Sequence, residues 1–280
     1  MEKLHMLLGV HCSISGGLRN AFHEATSLGI TTFQIFTKNQ RQWKEKTVEP
    51  AEASLFRGDF EVSGVKTAFS HASYLINLAS DDDGLWLRST EALIGEVRRC
   101  DSLGLAFIVL HPGAAKGSGE QAGIERVVKA LKAVLHATGD SAVKILLENT
   151  AGQGTCIGHK FEHLRQIMDG VDSGRICTCF DTCHAIAAGY DIRTKSGFEA
   201  TMERLDRTVG LHRLVVIHLN DSKGDLGSNR DRHEHIGKGK IGMEPFRQIM
   251  KRFQHTVKVI ETPKEDRMDE VNLRVLRKLI

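Results

Sequence analysis

The sequence has little proline and lacks long apolar runs, and both absences limit what the chain can be. Its 280 residues include 4 prolines and no proline-rich, serine-rich or single-charge stretch that would mark a linker. Because a chain of about 250 residues can fold as one domain, we expect residues 1–280 to form a single domain. No segment approaches the roughly 18 apolar residues of a membrane span, and the first residues lack the apolar region of a secretion signal. We therefore expect a cytoplasmic protein with no membrane partner.

Strong net charge is also missing. The 38 basic and 35 acidic side chains leave a formal charge of +3, which is small beside that of a typical nucleic-acid-binding module. Charge alone therefore does not predict DNA binding. Attraction to DNA would have to be concentrated at one place by bound cations and a few arginines.

Phosphate loops and disulfides are two further features that we do not expect. The stretch GSGEQAG around Gly117 has neither the lysine nor the strand-glycine-helix context of a phosphate-binding loop, so we predict no nucleotide cofactor. Of the six cysteines, Cys177, Cys179 and Cys183 crowd into one strand end among apolar neighbours. Reduced thiols are the expected state.

What the chain does contain is a series of eight apolar, β-rich runs, nearly all of which end on a polar residue. The final residues are His11, Thr37, His71, His111, Glu148, Asp181, His218 and Glu261. Between runs, residues 18–28, 93–103 and 124–135 show the i, i+3, i+4, i+7 spacing of amphipathic helices, with stops predicted at Gly29, Gly104 and Gly139. Eight alternating strand and helix units predict an α/β fold, a single (β/α)8 TIM barrel. The C-terminal strand ends of such a barrel converge on one face.

Apart from His11, six of these run ends are imidazoles or carboxylates that could bind metal at that face. A lone histidine at a strand end is more often a hydrogen-bonded structural residue, but six such groups on six strands favour a metal site, because a charge beside a buried strand must be paired, hydrated or metal-bound. The motifs Asp181-Thr-Cys-His184 and Asp231-Arg-His233 can each aim two ligands at one ion. The predicted ligands are His71, His111, Glu148, Asp181, His184, His218, Asp231, His233 and Glu261. Five imidazoles and four carboxylates suit a polynuclear site, whose ions would leave net positive charge for an anionic substrate such as a phosphodiester.

Several longer strings carry a resemblance to a known family. They are FTKNQRQW (36–43), HASYLINL (71–78), HPG (111–113), LENTAGQG (147–154), FDTCHAIAAGYD (180–191), HLNDSK (218–223), DRHEHIGKGKIG (231–242) and ETP (261–263). In this order and over essentially the whole chain, they resemble the endonuclease IV family of apurinic/apyrimidinic endonucleases. The resemblance implies a TIM barrel that cuts double-stranded DNA on the 5′ side of an abasic site and leaves a 3′-hydroxyl and a 5′-deoxyribose phosphate.

The resemblance also implies a set of three zinc ions. His71, His111 and Glu148 would hold the first ion, and Glu148 would bridge to a second. The second ion's other ligands would be Asp181, His218 and Glu261, and the third ion's would be His184, Asp231 and His233. The catalytic role of Glu148 would follow from this bridge, because two ions that share it can activate a water molecule near neutral pH. His235 offers a competing imidazole beside His233, and Cys183 is an outside candidate ligand. We expect a monomer.

Recognition of the lesion is assigned to a few other residues by the same resemblance. Arg41, Tyr74 and Leu75 correspond to positions that enter the DNA helix, where an aromatic and an aliphatic wedge can replace lost stacking. The alternative is that Tyr74 and Leu75 merely cover the barrel mouth. Arg232 is either a phosphate contact or a neighbour that balances charge, and His11 is suggested to orient a ligand.

Two other functions remain open at this point. A sugar isomerase or epimerase of similar barrel fold would use one or two ions and needs neither the Asp231 and His233 pair nor a wedge. A damaged-DNA-binding protein without catalysis would be expected to lack at least one ligand, and none is missing.

Overall fold

The computed structural model describes residues 6–44, 47–265 and 267–280. The strands are β1 (Leu8–His11), β2 (Thr32–Ile35), β3 (Thr67–His71), β4 (Phe107–Leu110), β5 (Lys144–Glu148), β6 (Ile176–Asp181), β7 (Leu214–His218), β8 (Asp221–Ser222), β9 (His233–Glu234) and β10 (Val257–Ile260). The helices are α1 (Asn20–Leu28), α2 (Pro50–Val62), α3 (Asp83–Leu103), α4 (Glu120–Ala137), α5 (Phe161–Val171), α6 (Thr182–Ala187), α7 (Lys195–Thr208), α8 (Glu244–Arg252) and α9 (Met268–Arg277). Eight parallel strands close in the order β1-β10-β7-β6-β5-β4-β3-β2, while β8 and β9 form a separate antiparallel ribbon. The predicted (β/α)8 barrel is confirmed.

The barrel interior explains why polar groups gather at one end. An apolar cluster of alternate strand residues fills the centre, and a residue two positions further along a strand points to the same side. The successive pairs are Phe69 with His71, Val109 with His111, Leu146 with Glu148, Cys179 with Asp181, Val216 with His218, and Val259 with Glu261. The predicted ligands of the strands are therefore the last interior layer, above an apolar floor.

Most predicted boundaries agree with the structure, with small corrections. Gly29 and Gly104 end α1 and α3 in the left-handed conformation, as predicted. The predicted stop at Gly139 is wrong: α4 ends at Ala137, and the Thr138 hydroxyl donates to the Val134 carbonyl at 2.8 Å. The second, fourth and eighth barrel strands end before Thr37, His111 and Glu261, which stand in the loops that follow.

The structure also bears on the cysteines and on the question of membrane-spanning helices. All six cysteines are free thiols. Among the helices of the described ranges, none combines the length and the apolar character needed to cross a membrane.

Candidate metal centre

Glu148 lies at the centre of the C-terminal mouth of the barrel, fully buried among four imidazoles. Its Oε2 is 3.2 Å from His71 Nε2 and 3.0 Å from His111 Nε2. Its Oε1 is 2.9 Å from His218 Nδ1 and 3.3 Å from His184 Nδ1. A single carboxylate thus touches histidines from β3, β7 and α6 and from the loop after β4.

Two more carboxylates adjoin His218. Its Nδ1 is 3.1 Å from Glu261 Oε2 and 3.9 Å from Asp181 Oδ2. Glu148, Asp181 and Glu261 therefore surround one imidazole nitrogen, although Glu148 and Asp181 lie on β5 and β6 and Glu261 follows β10.

A further group lies on the other side of Asp181. His184 Nε2 is 3.1 Å from Asp231 Oδ2, and His233 Nε2 is 3.3 Å from Asp231 Oδ1. His233 Nε2 is also 3.7 Å from Asp181 Oδ2, which connects this group to the others. The structure thus brings all nine predicted ligands into one continuous cluster.

Backbone carbonyls select the tautomer of three histidines. In each case Nδ1 lies beside a carbonyl oxygen, which can only accept, so in the neutral imidazole Nδ1 carries the proton and Nε2 keeps the lone pair. The pairs are His71 with Ala72 at 2.8 Å, His184 with Asn149 at 2.9 Å, and His233 with Glu261 at 3.0 Å. A backbone or carboxylate partner of this kind is typical of histidines that bind metal.

Gln34 makes the corresponding selection for His218, and sequence reasoning missed it. Gln34 Nε2 donates to Glu261 Oε1 and lies 2.7 Å from His11 Nδ1, while its Oε1 lies 2.9 Å from His218 Nε2. Because the Glu261 carboxylate can only accept, the amide orientation is fixed, and His218 must donate through Nε2. When His218 is neutral, its Nδ1 lone pair then faces Glu148. The available signal was a polar residue inside the apolar run TTFQIFT.

The donor set fits divalent cations such as zinc. Donor atoms about 2.0–2.1 Å from a tetrahedral ion lie roughly 3.3 Å from one another, and the contacts of His71, His111, His184 and His233 with their carboxylates are 3.0–3.3 Å. Buried His184 Nε2 and His233 Nε2 lie 3.1 and 3.3 Å from Asp231 oxygens, but within the described part of the chain neither nitrogen makes a hydrogen bond of normal geometry. Buried nitrogen atoms of this kind are costly unless something binds them.

The pKa shifts in the cluster also indicate that cations would be stabilised there. Burial alone would raise the pKa of Glu148, but the His218 and His111 imidazoles outweigh it and hold this pKa well below its usual value. Burial lowers the pKa of His184, whereas Asp181 and Asp231 raise it, and the outcome lies well above the usual value. The carboxylates therefore demand positive charge between them, which protons or metal ions can provide.

Buried amides hold Asp181 and Glu261 in place. Asn149 accepts from the Asp181 N–H at 2.7 Å and donates to its carbonyl at 3.1 Å. Asn220 donates to Asp181 Oδ2 at 2.6 Å and accepts from the Glu261 N–H at 2.7 Å. Asp181 also accepts from the His184 N–H at 2.7 Å, which caps α6 and fixes the Asp-x-x-His geometry.

Asp221 organises the loop that follows β9. Its buried carboxylate accepts from the N–H groups of Gly237, Gly239 and Ile241 at 2.9, 3.1 and 3.0 Å. A Cβ on Gly239 would come within 2.5 Å of Asp221 Oδ1, so this close approach requires glycine. The loop that follows His233 and β9 is thereby tied to β8.

Tyr74 and Leu75 lie beside the cluster, on the loop after β3. Tyr74 is 67% exposed, yet its ring centre is 5.6 Å from that of Phe36 and 5.9 Å from that of His71. Leu75 is partly exposed. The Tyr74 ring thus packs near Phe36 and His71 while most of it remains exposed to solvent.

Arg41 and Arg232 have exposed side chains on two other loops. Arg232 Nη1 donates to the Asp231 carbonyl at 2.6 Å, so it adjoins the cluster. Of the two secondary candidates, His235 contacts Asn272 and Glu265 instead of the cluster. Cys183 Sγ lies within 4.8 Å of ligand atoms of Asp181 and His233, but burial raises the pKa of its thiol to about 12.

Comparison with known proteins gives a consistent result. The family described as xylose isomerase-like TIM barrel matches residues 22–279. A protein of Geobacter sp. strain M21 named probable endonuclease 4 is 47% identical over 279 residues, which cover 98% of this chain and 99% of that protein.

Solved structures agree. The crystal structure of endonuclease IV from Thermus thermophilus has a TM-score of 0.87 and 39% identity, with 97% of this chain and 98% of the other covered. A D-psicose 3-epimerase from Clostridium cellulolyticum H10 has a TM-score of 0.69 and 14% identity, with 98% and 97% covered. The latter likeness is one of fold alone.

Proposed function

The chain belongs to the endonuclease IV family, and from this premise we propose that it hydrolyses duplex DNA on the 5′ side of an abasic site. It is a metal-dependent nuclease that acts on DNA. The products would be a 3′-hydroxyl and a 5′-deoxyribose phosphate. The single observation that carries the proposal is the continuous cluster of nine imidazole and carboxylate side chains around Glu148.

Three zinc ions are the proposed cofactors. One ion would be held by His71, His111 and Glu148. A second would be held by Glu148, Asp181, His218 and Glu261, and a third by His184, Asp231 and His233. Bound zinc lowers the pKa of water to near neutrality and stabilises charge that develops on a phosphate. Six positive charges against four carboxylates would leave roughly two for a phosphodiester.

The chain's own residues would orient the ligands and exclude water. Backbone carbonyls and Gln34 hold four of the five imidazoles in single tautomers, and preorganised ligands need no rearrangement when substrate binds. The apolar floor beneath Glu148 excludes water from one side, which strengthens electrostatic interactions above it.

Selection of abasic sites would depend on Tyr74, Leu75 and Arg41, with Arg232 as a phosphate contact. An exposed ring supported by Phe36 and His71 can enter a duplex without collapsing onto its own loop. We also propose a monomer that acts in the cytoplasm, where its six free thiols would remain reduced.

The decisive experiment is to incubate zinc-loaded protein with a duplex that carries one abasic analogue, and to map both cut ends. We expect one cut 5′ to the lesion. A duplex of the same sequence without the lesion, chelator-treated enzyme and free aldoses are the controls. A cut on the 3′ side, or equal cutting of the intact duplex, would contradict the proposal. Epimerisation of an aldose without cleavage of DNA would support the alternative function of a sugar epimerase.

A further inference from the structure

A buried polar cluster lies outside the metal centre, between the loop after β2 and helix α3. Arg99 Nε donates to Thr37 Oγ1 at 2.9 Å, and Arg99 Nη2 lies 3.0 Å from Glu96 Oε1. Thr37 Oγ1 in turn donates to Glu96 Oε2. Thr37 and Glu96 are each 1% exposed, and Arg99 is 5% exposed.

A contribution to folding stability alone does not account well for this buried cluster. Burial raises the pKa of Glu96 although Arg99 and Thr37 oppose the shift, so the buried charge carries a desolvation cost. A buried ion pair is often no more stabilising than apolar residues of the same volume, and in some proteins such a pair serves to fix one geometry. Here the ion pair holds Thr37, which is the first residue of the loop 37–43. This loop carries Arg41.

The far end of the same loop is also held by α3. The Arg88 guanidinium lies 4.6 Å from the Trp43 ring centre. Within the loop, Lys38 Nζ donates to the Gln42 carbonyl at 2.8 Å, and Asn39 Oδ1 accepts from the Arg41 N–H at 2.9 Å.

The loop after β3 supplies one more tie. Ser73 Oγ donates to the Gln40 carbonyl at 2.8 Å. Because Ser73 immediately precedes Tyr74, this bond connects the loop of Arg41 to the loop of the aromatic wedge. The backbone of the first loop is thus fixed at both ends and in the middle, while the Arg41 side chain stays exposed.

We propose that Glu96 and Arg99 are positioning residues that act through Thr37 to hold the Arg41 loop in its DNA-binding conformation before DNA arrives. The inference rests on the proposed function and deepens it. A loop that is already ordered loses little conformational entropy on binding, and preorganisation of this kind raises affinity without new contacts. The effect should therefore fall on substrate binding and not on the chemical step.

The test is Thr37→Val, which keeps the side chain's shape and removes its hydroxyl. Loss of about 1–2 kcal/mol corresponds to roughly a five- to thirtyfold change, and we expect the KM and the Kd for abasic duplex to rise by that factor with kcat and zinc content unchanged. Thr37→Ser should restore both constants. Thr90→Val is the matched control, because this buried α3 hydroxyl donates only to its own helix, to the Trp86 carbonyl at 2.9 Å.

A double-mutant cycle with Arg41→Ala separates positioning from mere stability. If Thr37 acts through the Arg41 loop, Thr37→Val should change Kd much less in the Arg41→Ala background. Equal effects in both backgrounds, an unchanged Kd, or loss of kcat and zinc would overturn the inference and leave the proposed function standing. A wild-type chain that neither binds nor cuts abasic duplex would overturn the proposed function, and the inference with it.

Discussion

Replacement of Gln34 by Met should weaken metal binding although Gln34 is not itself a proposed ligand. Methionine has similar length and volume but no amide. The change removes the acceptor that faces His218 Nε2 at 2.9 Å and the donor to Glu261 and His11. Neutral His218 would then be free to exchange tautomers, and each exchange withdraws the Nδ1 lone pair from Glu148.

The magnitude follows from these three lost contacts. Removal of a partner that orients a metal ligand typically costs about 10- to 100-fold in metal affinity, and here two proposed ligands of one ion lose the same partner. We therefore expect at least roughly tenfold weaker binding of the ion between His218 and Glu261, with the other sites less affected. Turnover should fall at limiting zinc and recover in excess zinc.

Competition with a chromophoric chelator measures this affinity, and zinc content after dialysis gives an independent reading. Thr32→Val is the matched control. Thr32 lies two residues earlier on β2, on the same interior side, and its buried hydroxyl has no partner among the described residues. If Gln34→Met binds every ion as tightly as wild type while Thr32→Val behaves identically, the orienting role of Gln34 is refuted.

Three further predictions concern the cluster and the wedge. Glu148→Gln should lower single-turnover cleavage by more than roughly 100-fold, while binding to abasic duplex at low salt survives better because backbone contacts do not need that carboxylate; near wild-type cleavage would refute the bridging role. The double change Tyr74→Ala and Leu75→Ala should weaken abasic-site incision and leave zinc content and circular dichroism intact, whereas unchanged incision at limiting enzyme would return both residues to covering the barrel mouth. Elemental analysis should find about three ions per active chain, and chelation should lower the Tm; one ion or none in active protein would exclude the trinuclear site.

Sequence periodicity predicted the barrel well because each strand supplies its own signal. Apolar runs that end on His71, Glu148, Asp181 and His218 correspond closely to β3, β5, β6 and β7. The joint occurrence of imidazoles and carboxylates at these ends was sufficient to predict that they meet, since a closed parallel barrel brings all strand ends to one face.

The contacts of Gln34 could not be predicted in the same way. The apolar run around β2 extends to Thr37, whereas the strand ends at Ile35 and its last interior residue is Gln34. Which residue of β2 meets His11 depends on register, and the structure pairs His11 with Gln34 across β1 and β2. This register pairs Gly9 with Thr32 so closely that a Cβ would meet the Thr32 carbonyl oxygen, so the pairing requires glycine at position 9. Because glycine has no side chain, it adds nothing to the apolar periodicity from which strands are predicted.

The bond from Gln34 to Glu261 joins the second strand of the barrel to the residue just after the last strand. It therefore spans the seam that closes only when β10 pairs with β1. A nascent chain on the ribosome that has not yet produced β10 lacks Glu261 and cannot assemble the full set of proposed ligands. We therefore expect the nuclease centre to form only after synthesis of the whole barrel.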